Sequence, residues 1–231
     1  MQTFDVTKEL SEAIIRRRGH LHAYESFDPA TTALLVVDMQ NYFVSEKERT
    51  GCGPAREIVP NINRLSAGLR AGGGHVVWIV TEATKEADEA WSNFYETHSE
   101  TSGANRRKVL VPGQSAYEIW SGLDVLDSDT QFVKARYSAF LKAPGGDLET
   151  ILNGRDIETV LVTGVATNVC CESTARDAMM MGFRTIMVSD GNATYEDHFH
   201  QATMCNFLSV FGDVHSTDDL LGIIGARQAA E

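Results

Sequence analysis

Short apolar segments alternate with longer amphipathic segments along the chain. Segments rich in Val, Ile and Leu predict buried strands, because a strand covered on both faces is apolar throughout. They cover residues 32–38, 75–81, 130–134, 159–164 and 184–189, with a brief sixth strand at Val214. Helical patterns fall at residues 55–71, 116–123, 147–153, 168–181, 197–208 and 217–224, and glycines end several of them.

This alternation of strand and helix predicts a three-layer α/β/α fold around a mostly parallel sheet. The chain has no internal repeat or linker, so we expect one domain over residues 26–231. Residues 1–25 are predicted to form an N-terminal helical extension. Residues 82–113 are polar and lack clear periodicity, and a stretch of that length inside a compact domain is typical of a lid or a binding loop.

Charge and hydropathy exclude several classes of protein. The net charge of −12 argues against nucleic-acid binding, which rests on basic patches. There is no run of eighteen apolar residues, so we expect no membrane-spanning helix. The first residues do not show a basic segment followed by an apolar one, so we expect no secretory signal. A cytoplasmic protein with reduced thiols is the expectation that follows.

Three chemically reactive residues fall where predicted strands end. Asp38 closes the first strand, Lys134 closes the third, and Cys170 follows the fourth in the first turn of the next helix. Ligands of open parallel sheets bind beyond the carboxyl ends of the strands, so the topology would gather these side chains at one edge. The helix N-terminus and the lysine predict a lowered pKa for the Cys170 thiol, with Asp38 as its proton carrier.

Each of these signals also has a structural explanation. A cysteine in a helix is usually a small buried hydrophobic residue, which is our interpretation of Cys52, Cys171 and Cys205. Cys171 lies about 100° around the helix from Cys170, so both cannot face the same edge. A non-catalytic ligand-binding protein stays open as an alternative. A redox protein that uses the adjacent pair is disfavoured, because a vicinal disulfide is strained.

Three motifs carry a resemblance to a known family. They are LLVVDMQNYF at 34–43, VKARYSAF at 133–140 and TGVATNVCCESTARD at 163–177. In order and spacing the chain resembles the isochorismatase-like cysteine hydrolases over roughly residues 30–215, and most resembles the ureidoacrylate amidohydrolase and biuret hydrolase branch. The resemblance implies the isochorismatase-like fold, with a six-stranded sheet in the order 3-2-1-4-5-6.

The resemblance also implies roles for individual residues. Cys170 would be the nucleophile, with Asp38 and Lys134 as its catalytic partners. A non-proline cis peptide would join Val165 to Ala166. The N–H groups of Ala166 and Cys170 would then form the oxyanion hole.

Substrate contacts follow from the same branch. Gln40 would recognise an amide, and Asn41, Phe43, Asn93 and Tyr137 would line the pocket. For Phe43 and Tyr137, simple packing is an equally good interpretation.

The implied activity is hydrolysis of a carbon–nitrogen bond in a small linear ureide or carbamoyl amide, similar to biuret or ureidoacrylate. An N-carbamoyl amino acid or another small amide is the alternative substrate. Relatives imply a homodimer or homotetramer.

The sequence predicts no metal site and no cofactor. The metal-binding histidines of nicotinamidases are missing from Asp38-Met-Gln and from Thr81-Glu-Ala. The histidines of the pairs His20/His22 and His198/His200 are two residues apart, so they would not share a helix face.

Overall fold

Six parallel strands form the centre of the structure, a computed structural model that describes residues 2–47, 50–83, 89, 91–141 and 144–229. All six predicted strands are present, and the fifth extends four residues beyond its predicted end. They are β1 (Thr32–Val37), β2 (His75–Thr81), β3 (Thr130–Lys134), β4 (Thr159–Val165), β5 (Arg184–Ala193) and β6 (Asp213–His215).

The strands pair in the order β3-β2-β1-β4-β5-β6, which confirms the predicted fold. The direction in which successive strands are added reverses between β1 and β4. Such a reversal opens a crevice at the carboxyl ends of the two strands, where the connections that follow them diverge.

Helices cover both faces of the sheet. The α-helices of the described residues are α1 (Lys8–Arg18), α2 (Asn41–Val44), α3 (Val59–Ala71), α4 (Ser92–Glu96), α5 (Glu100–Val109), α6 (Leu148–Asn153), α7 (Glu172–Met180), α8 (Asp197–Asn206) and α9 (Thr217–Gln228), with π-helical turns at Thr167–Cys171 and Phe207–Phe211. Each of these helices is too short or too polar to span a bilayer. One hydrophobic cluster joins the sheet to α3 and α9, and a second joins it to α6, α7 and α8.

The apolar composition of β1 follows from this two-sided cover. Leu35 and Val37 pack in one cluster and Leu34 and Val36 in the other, and all four are buried. Each such side chain contributes about 1.5–3 kcal/mol when it leaves water. A strand of this kind has no polar face, which is why its sequence does not alternate.

The helix predicted for residues 116–123 is wrong. The Trp120 N–H donates to the Met39 carbonyl at 2.8 Å, and the Asn41 N–H donates to the Glu118 carbonyl at 2.8 Å. This segment therefore supplies hydrogen bonds to the chain that leaves β1, and its own backbone groups are not available for a helix.

Residues 82–113 contain helices where we expected an irregular loop, although residues 84–88 and 90 lie outside the described residues. Ser99 caps α5 by accepting a hydrogen bond from the Ser102 N–H. Basic residues in the last turn of α5 complement the helix dipole. These end effects, rather than an apolar stripe, favour the helix.

The N-terminal segment is tied to β6 through a buried carboxylate. Asp213 accepts a hydrogen bond from the Tyr24 N–H at 2.8 Å, and His22 Nδ1 lies 2.8 Å from its other oxygen. The His22 ring stacks on His215 with centroids 4.4 Å apart. Ile14 of α1 is buried in the core cluster on the α7 side of the sheet. The division at residue 25 stays a prediction.

Contacts within this cluster shift the pKa values of His22 and Asp213. The hydrogen bond to Asp213 raises the pKa of His22, although partial burial opposes the shift. Burial opposes ionisation of Asp213, but contacts with His215, His22 and the Tyr24 N–H more than offset it and hold the pKa of the carboxyl well below its usual range. Asp213 is therefore a buried anion that stabilises the docked N-terminal segment.

Gly164 permits the closest approach between β1 and β4. Its φ is +114°, and a Cβ at this position would lie 2.0 Å from the Val37 carbonyl oxygen. No side chain can occupy that space. This glycine therefore sets the distance between the two strands whose ends border the crevice.

We predict that Gly164→Ala destabilises the fold by about 3 kcal/mol, because it combines a steric overlap with an unfavourable φ. Gly222→Ala is the matched control, since Gly222 is exposed in α9 and nothing lies within 4 Å of an added Cβ. The control should gain about 1 kcal/mol from helix propensity. Urea unfolding measures the stability of both variants. Equal unfolding midpoints for Gly164→Ala and wild type would contradict the close approach of Gly164 to the Val37 carbonyl.

We predict that Asp213→Asn costs about 3 kcal/mol, with a pH-dependent difference from wild type. The raised pKa of His22 adds stability below pH 6.5, and this is lost as the pH rises through the folded-state value. The lowered pKa of Asp213 adds stability above pH 3.8, and this is lost as the pH falls. The free energy of unfolding, measured by urea at several pH values, should differ most between wild type and Asp213→Asn from about pH 4 to pH 6.5. A difference that does not change with pH would refute the ion pair.

Candidate active site

The structure brings together the three residues proposed as catalytic. Lys134 Nζ lies 2.8 Å from Asp38 Oδ2 and 3.6 Å from Cys170 Sγ. Asp38 and Lys134 are 0% and 1% exposed, while Cys170 is 8% exposed and lines a cavity. Lys134 also lines the cavity, and Cys170 is the most exposed of the three residues.

Thr81 is a fourth member that the sequence analysis did not single out. Its hydroxyl donates to Asp38 Oδ1 at 2.7 Å and accepts from Lys134 Nζ at 2.6 Å. Lys134 also donates to the Arg136 carbonyl at 3.1 Å. Thr81 is the polar last residue of β2, so its position at a strand end was a signal that could have identified it.

The backbone is unusual on both sides of the crevice. Asp38 has φ +54°, a conformation that most residues with a side chain avoid but that aspartate tolerates better than most. Its N–H donates to the Ile79 carbonyl at 2.8 Å. The peptide bond between Val165 and Ala166 is cis, as the resemblance implied.

Cys170 lies in the π-helical turn Thr167–Cys171 that leads into α7, and Ala166 immediately precedes this turn. Cys171 points away from the cavity: it is fully buried, and its thiol donates to the Thr163 carbonyl at 3.8 Å. All four cysteines are free thiols. The turn thus presents one of the two neighbouring sulfurs to the cavity.

A cavity of about 280 Å³ opens in front of the Cys170 sulfur, a volume at the small end for ligand sites. Phe43, Tyr137, Ala166 and Cys170, which were predicted to contact the substrate, all line it. The full set of described lining residues is Tyr42, Phe43, Thr50, Thr81, Trp91, Phe94, His98, Ser102, Arg106, Lys134, Arg136, Tyr137, Val165, Ala166, Val169, Cys170 and Tyr195.

Gln40 is not among the described residues that line the cavity, and its contact with a substrate amide stays a prediction. The side chain is fully buried behind the site and donates to the carbonyls of Thr81 and Tyr117 at 3.1 and 2.8 Å. Its oxygen accepts from the Thr81 N–H at 2.8 Å. A buried amide must be hydrogen-bonded, and the partners of this one are backbone groups of Thr81 and Tyr117. Gln40 therefore links the backbone segments around the site.

Asn41 and Asn93 are also absent from the described cavity lining, contrary to prediction. Asn41 Nδ2 donates to the Ser115 carbonyl at 2.7 Å, so its amide is directed at the 110–120 segment. Asn93 is exposed on α4. The residues that do face the cavity from this region are its neighbours Trp91 and Phe94.

Three aromatic side chains, Trp91, Phe94 and Tyr137, form one wall of the cavity. The Trp91 and Phe94 rings have centroids 4.5 Å apart, and Tyr137 meets the Trp91 ring edge-on at 4.9 Å. Trp91 and Phe94 come from the 82–113 segment, where the absence of periodicity concealed their role. The cluster of aromatic residues Trp91, Phe94 and Tyr95 in a mostly polar stretch was the available signal.

The environment raises the pKa of Cys170 to about 12, where we expected a lowered value. Burial of the thiol is the main cause and the Asp38 carboxylate adds to it, while Lys134 opposes both. Burial alone would lower the pKa of Lys134, but attraction to Asp38 and Cys170 raises it on balance. The raised pKa values therefore favour a protonated lysine and a neutral thiol at the resting site.

Among the described residues, one group that could hold a metal ion lies away from the cavity. Ligand atoms of His22, Asp213 and His215 fall within 4.8 Å of one another, and none of these three residues lines the cavity. Spacing along the chain pairs histidines only with their near neighbours, so it does not indicate this group. In this structure the two rings stack and His22 is hydrogen-bonded to the carboxylate.

The fold is that of a three-layer α/β protein with a cavity at the carboxyl ends of its strands, and comparison with known proteins specifies the family. The isochorismatase domain matches residues 32–219, and the chain belongs to this family. It is 32% identical over 221 residues to ureidoacrylate amidohydrolase RutB of Methylobacterium radiotolerans, covering 86% of this chain and 82% of that protein. The RutB enzyme of Klebsiella pneumoniae is 31% identical over 207 residues, covering 84% and 86%.

Solved structures agree with this assignment. A cysteine hydrolase from Pseudomonas syringae pv. phaseolicola aligns with a TM-score of 0.74 at 25% identity, covering 87% of this chain and 95% of that one. N-carbamoylsarcosine amidase from Thermoplasma acidophilum aligns with a TM-score of 0.65 at 26% identity, covering 81% and 97%. The expectation of an amidohydrolase, an enzyme that hydrolyses non-peptide carbon–nitrogen bonds, is confirmed at the level of reaction class.

We predict that alkylation of Cys170 by iodoacetamide accelerates with pH up to at least about pH 10, because the pKa of about 12 leaves little thiolate at neutral pH. A Cys205→Ser background removes the least buried of the other thiols. Mass spectrometry with fragment ions that separate Cys170 from Cys171 gives the rate. A plateau reached below pH 8 would show that the resting nucleophile is already a thiolate.

Proposed function

We propose that this chain is a cysteine-dependent amidohydrolase that cleaves a carbon–nitrogen bond of a small linear ureide or carbamoyl amide. The observation that carries the proposal is the contact set of Asp38, Lys134 and Cys170 at the base of a small cavity. The amine contacts both the acid and the thiol, and together the three groups supply a fixed positive charge, a proton carrier and a nucleophile.

The first half of the reaction forms a covalent intermediate. In the proposed step, the Cys170 thiol gives its proton to the Asp38 carboxylate as the sulfur attacks the substrate carbonyl carbon. The carbonyl oxygen becomes an oxyanion that the N–H groups of Ala166 and Cys170 stabilise. The carbon–nitrogen bond then breaks, and the leaving nitrogen takes the proton from Asp38 and departs as ammonia or an amine.

The second half restores the enzyme. Asp38 accepts a proton from a water molecule, whose oxygen attacks the thioester-type carbonyl, and the carbon–sulfur bond breaks. The proton returns to the sulfur and the product acid leaves. Throughout the cycle Lys134 keeps its contacts with Asp38 and Thr81, so its charge stays where negative charge moves between oxygen and sulfur.

The relatives support a ureide as substrate, because two of them are named for hydrolysis of ureidoacrylate and a structural neighbour for N-carbamoylsarcosine. The small cavity supports the same class. Biuret, an N-carbamoyl amino acid or another small amide is the alternative within this proposal. The oligomeric state and the cellular compartment stay predictions from the sequence.

We predict that Cys170→Ser lowers kcat/KM by at least about 10⁴-fold, because a hydroxyl in this site is a much weaker nucleophile than sulfur. Ammonia release from ureidoacrylate, biuret and N-carbamoyl amino acids gives the measurement. Cys171→Ser is the matched control, since that sulfur is buried next to the Thr163 carbonyl and faces away from the cavity. Undiminished turnover by Cys170→Ser would refute the mechanism, and a folded protein that binds ureides without hydrolysing them would favour the non-catalytic alternative.

A further inference from the structure

Two histidines and an aspartate lie together away from the cavity, where the N-terminal segment meets β6. Asp213 and His215 are two residues apart on this strand, so their side chains lie on the same face of the sheet. His22 reaches Asp213 from the N-terminal segment, 191 residues away in sequence. The ligand atoms of the three residues all lie within 4.8 Å of one another. The fold therefore brings two imidazole nitrogens and a carboxylate oxygen to one place.

The distances within this cluster suit a zinc ion. His22 Nδ1 lies 2.8 Å from Asp213 Oδ1, and His215 Nε2 lies 3.3 Å from Asp213 Oδ2. Nitrogen and oxygen ligands lie about 2.0–2.2 Å from Zn²⁺, so two ligands at a tetrahedral angle are about 3.4 Å apart. The His22 side chain is 32% exposed, whereas the other two are buried. The His22 ring therefore has room to rotate onto an ion, and the fourth ligand position faces water.

The His215 ring gives independent evidence for a ligand. Its Nε2 atom is buried and has no hydrogen-bond partner among the described residues, because the 3.3 Å contact with Asp213 lacks hydrogen-bond geometry. Buried polar atoms in native folds are nearly always paired, and an unpaired one calls for an explanation such as an ion. The nitrogen of a neutral imidazole is the commonest metal ligand in proteins. A bound metal ion would satisfy this atom.

The carboxylate of Asp213 is already oriented by the backbone. The Val214 N–H donates to Oδ1 at 2.9 Å, and the Tyr24 N–H donates to Oδ2 at 2.8 Å. With the contact to His22, these bonds use three of the roughly four lone-pair positions of a carboxylate. The remaining position is on Oδ2, the oxygen that faces His215. Hydrogen bonds of this kind hold a metal-binding carboxylate in place.

The charges around the cluster favour a cation. The charge of Arg18 acts on Asp213 and His22, and the charge of Asp219 acts on both histidines. One positive and one negative neighbour offset each other. Histidines that bind a metal are neutral, so the Asp213 carboxylate then gives the cluster its net negative charge.

We propose that His22, Asp213 and His215 bind a divalent transition-metal ion such as Zn²⁺, and that this ion holds the N-terminal segment to β6. Two nitrogens and one oxygen suit Zn²⁺, whereas Mg²⁺ and Ca²⁺ prefer oxygen ligands. The ligands come from two distant parts of the chain, so binding stabilises their docked arrangement. None of the three residues lines the cavity, and the ion is separate from the proposed hydrolysis.

Calorimetric titration of the full chain tests the metal site. The protein is freed of metal with a chelator and held at about pH 8, above the usual pKa of histidine, and is titrated with Zn²⁺ and separately with Mg²⁺. We expect His22→Ala to weaken one zinc site per chain by at least about 100-fold, since loss of a partner outside the ligand shell already costs about 10–100-fold. His22 is partly exposed, so the variant should fold.

His198→Ala is the matched control, because His198 is exposed on α8 and lies outside the cluster. The thiols also bind zinc, but all four cysteines are present in each of these proteins, so the difference between them reports on the cluster. Zinc affinity that is unchanged by His22→Ala, or lowered equally by His198→Ala, would overturn the metal site. Binding of Mg²⁺ to the cluster as tight as that of Zn²⁺ would overturn it too.

Hydrogen exchange at the Tyr24 amide tests whether the ion holds the N-terminal segment, since this N–H donates to Asp213. We expect Zn²⁺ to slow the exchange in wild type and in His198→Ala, and to leave it unchanged in His22→Ala. Zinc that binds through His22 without slowing exchange at Tyr24 would contradict this part of the proposal.

Discussion

The ion pair between Lys134 and Asp38 governs the arrangement of the site. Both side chains lie almost completely out of water, with 2.8 Å between ammonium and carboxylate. A buried pair of this kind is favourable only when its remaining hydrogen bonds are also made. Thr81 and the Arg136 carbonyl supply them to Lys134, and Thr81 supplies one to Asp38. The ends of β1, β2 and β3 must therefore keep their register for the charges to remain compensated.

This pair also acts on the neighbouring thiol. A lysine beside a thiol favours the thiolate, so Lys134 by itself would make Cys170 acidic. The Asp38 carboxylate opposes this effect, and burial decides the outcome in favour of the thiol. In the proposed mechanism, the sulfur keeps its proton until a bound substrate offers its carbonyl carbon.

Two parts of the chain form the site. The strand ends and the turn before α7 hold Asp38, Lys134 and Cys170 on a rigid sheet, which suits side chains whose positions must be closely fixed. The segment that contains α4 and α5 contributes Phe94 and Arg106, which shape the far side of the cavity. Variation in that segment would alter which molecule is admitted without moving Asp38, Lys134 or Cys170.

Much of this protein was determined by the sequence alone. The continuous apolar strands define a parallel sheet covered on both faces, and an acid, an amine and a thiol at the ends of β1, β3 and β4 must then meet at one edge. Gln40 shows the limit of such reasoning: a motif marks it as important, but only the packing directs its amide to Thr81 and Tyr117 and away from the cavity.

The tertiary structure decided everything that depends on contacts between distant segments. Residues 116–123 lost their helix because the chain after β1 takes up their hydrogen bonds. His22 found its partner 191 residues away in Asp213, a pairing that no local spacing could indicate. The pKa of Cys170 depended at once on burial and on two neighbours, Asp38 and Lys134. In each case the physical reason is the same, since burial and electrostatic energy are set by which groups surround a side chain in space.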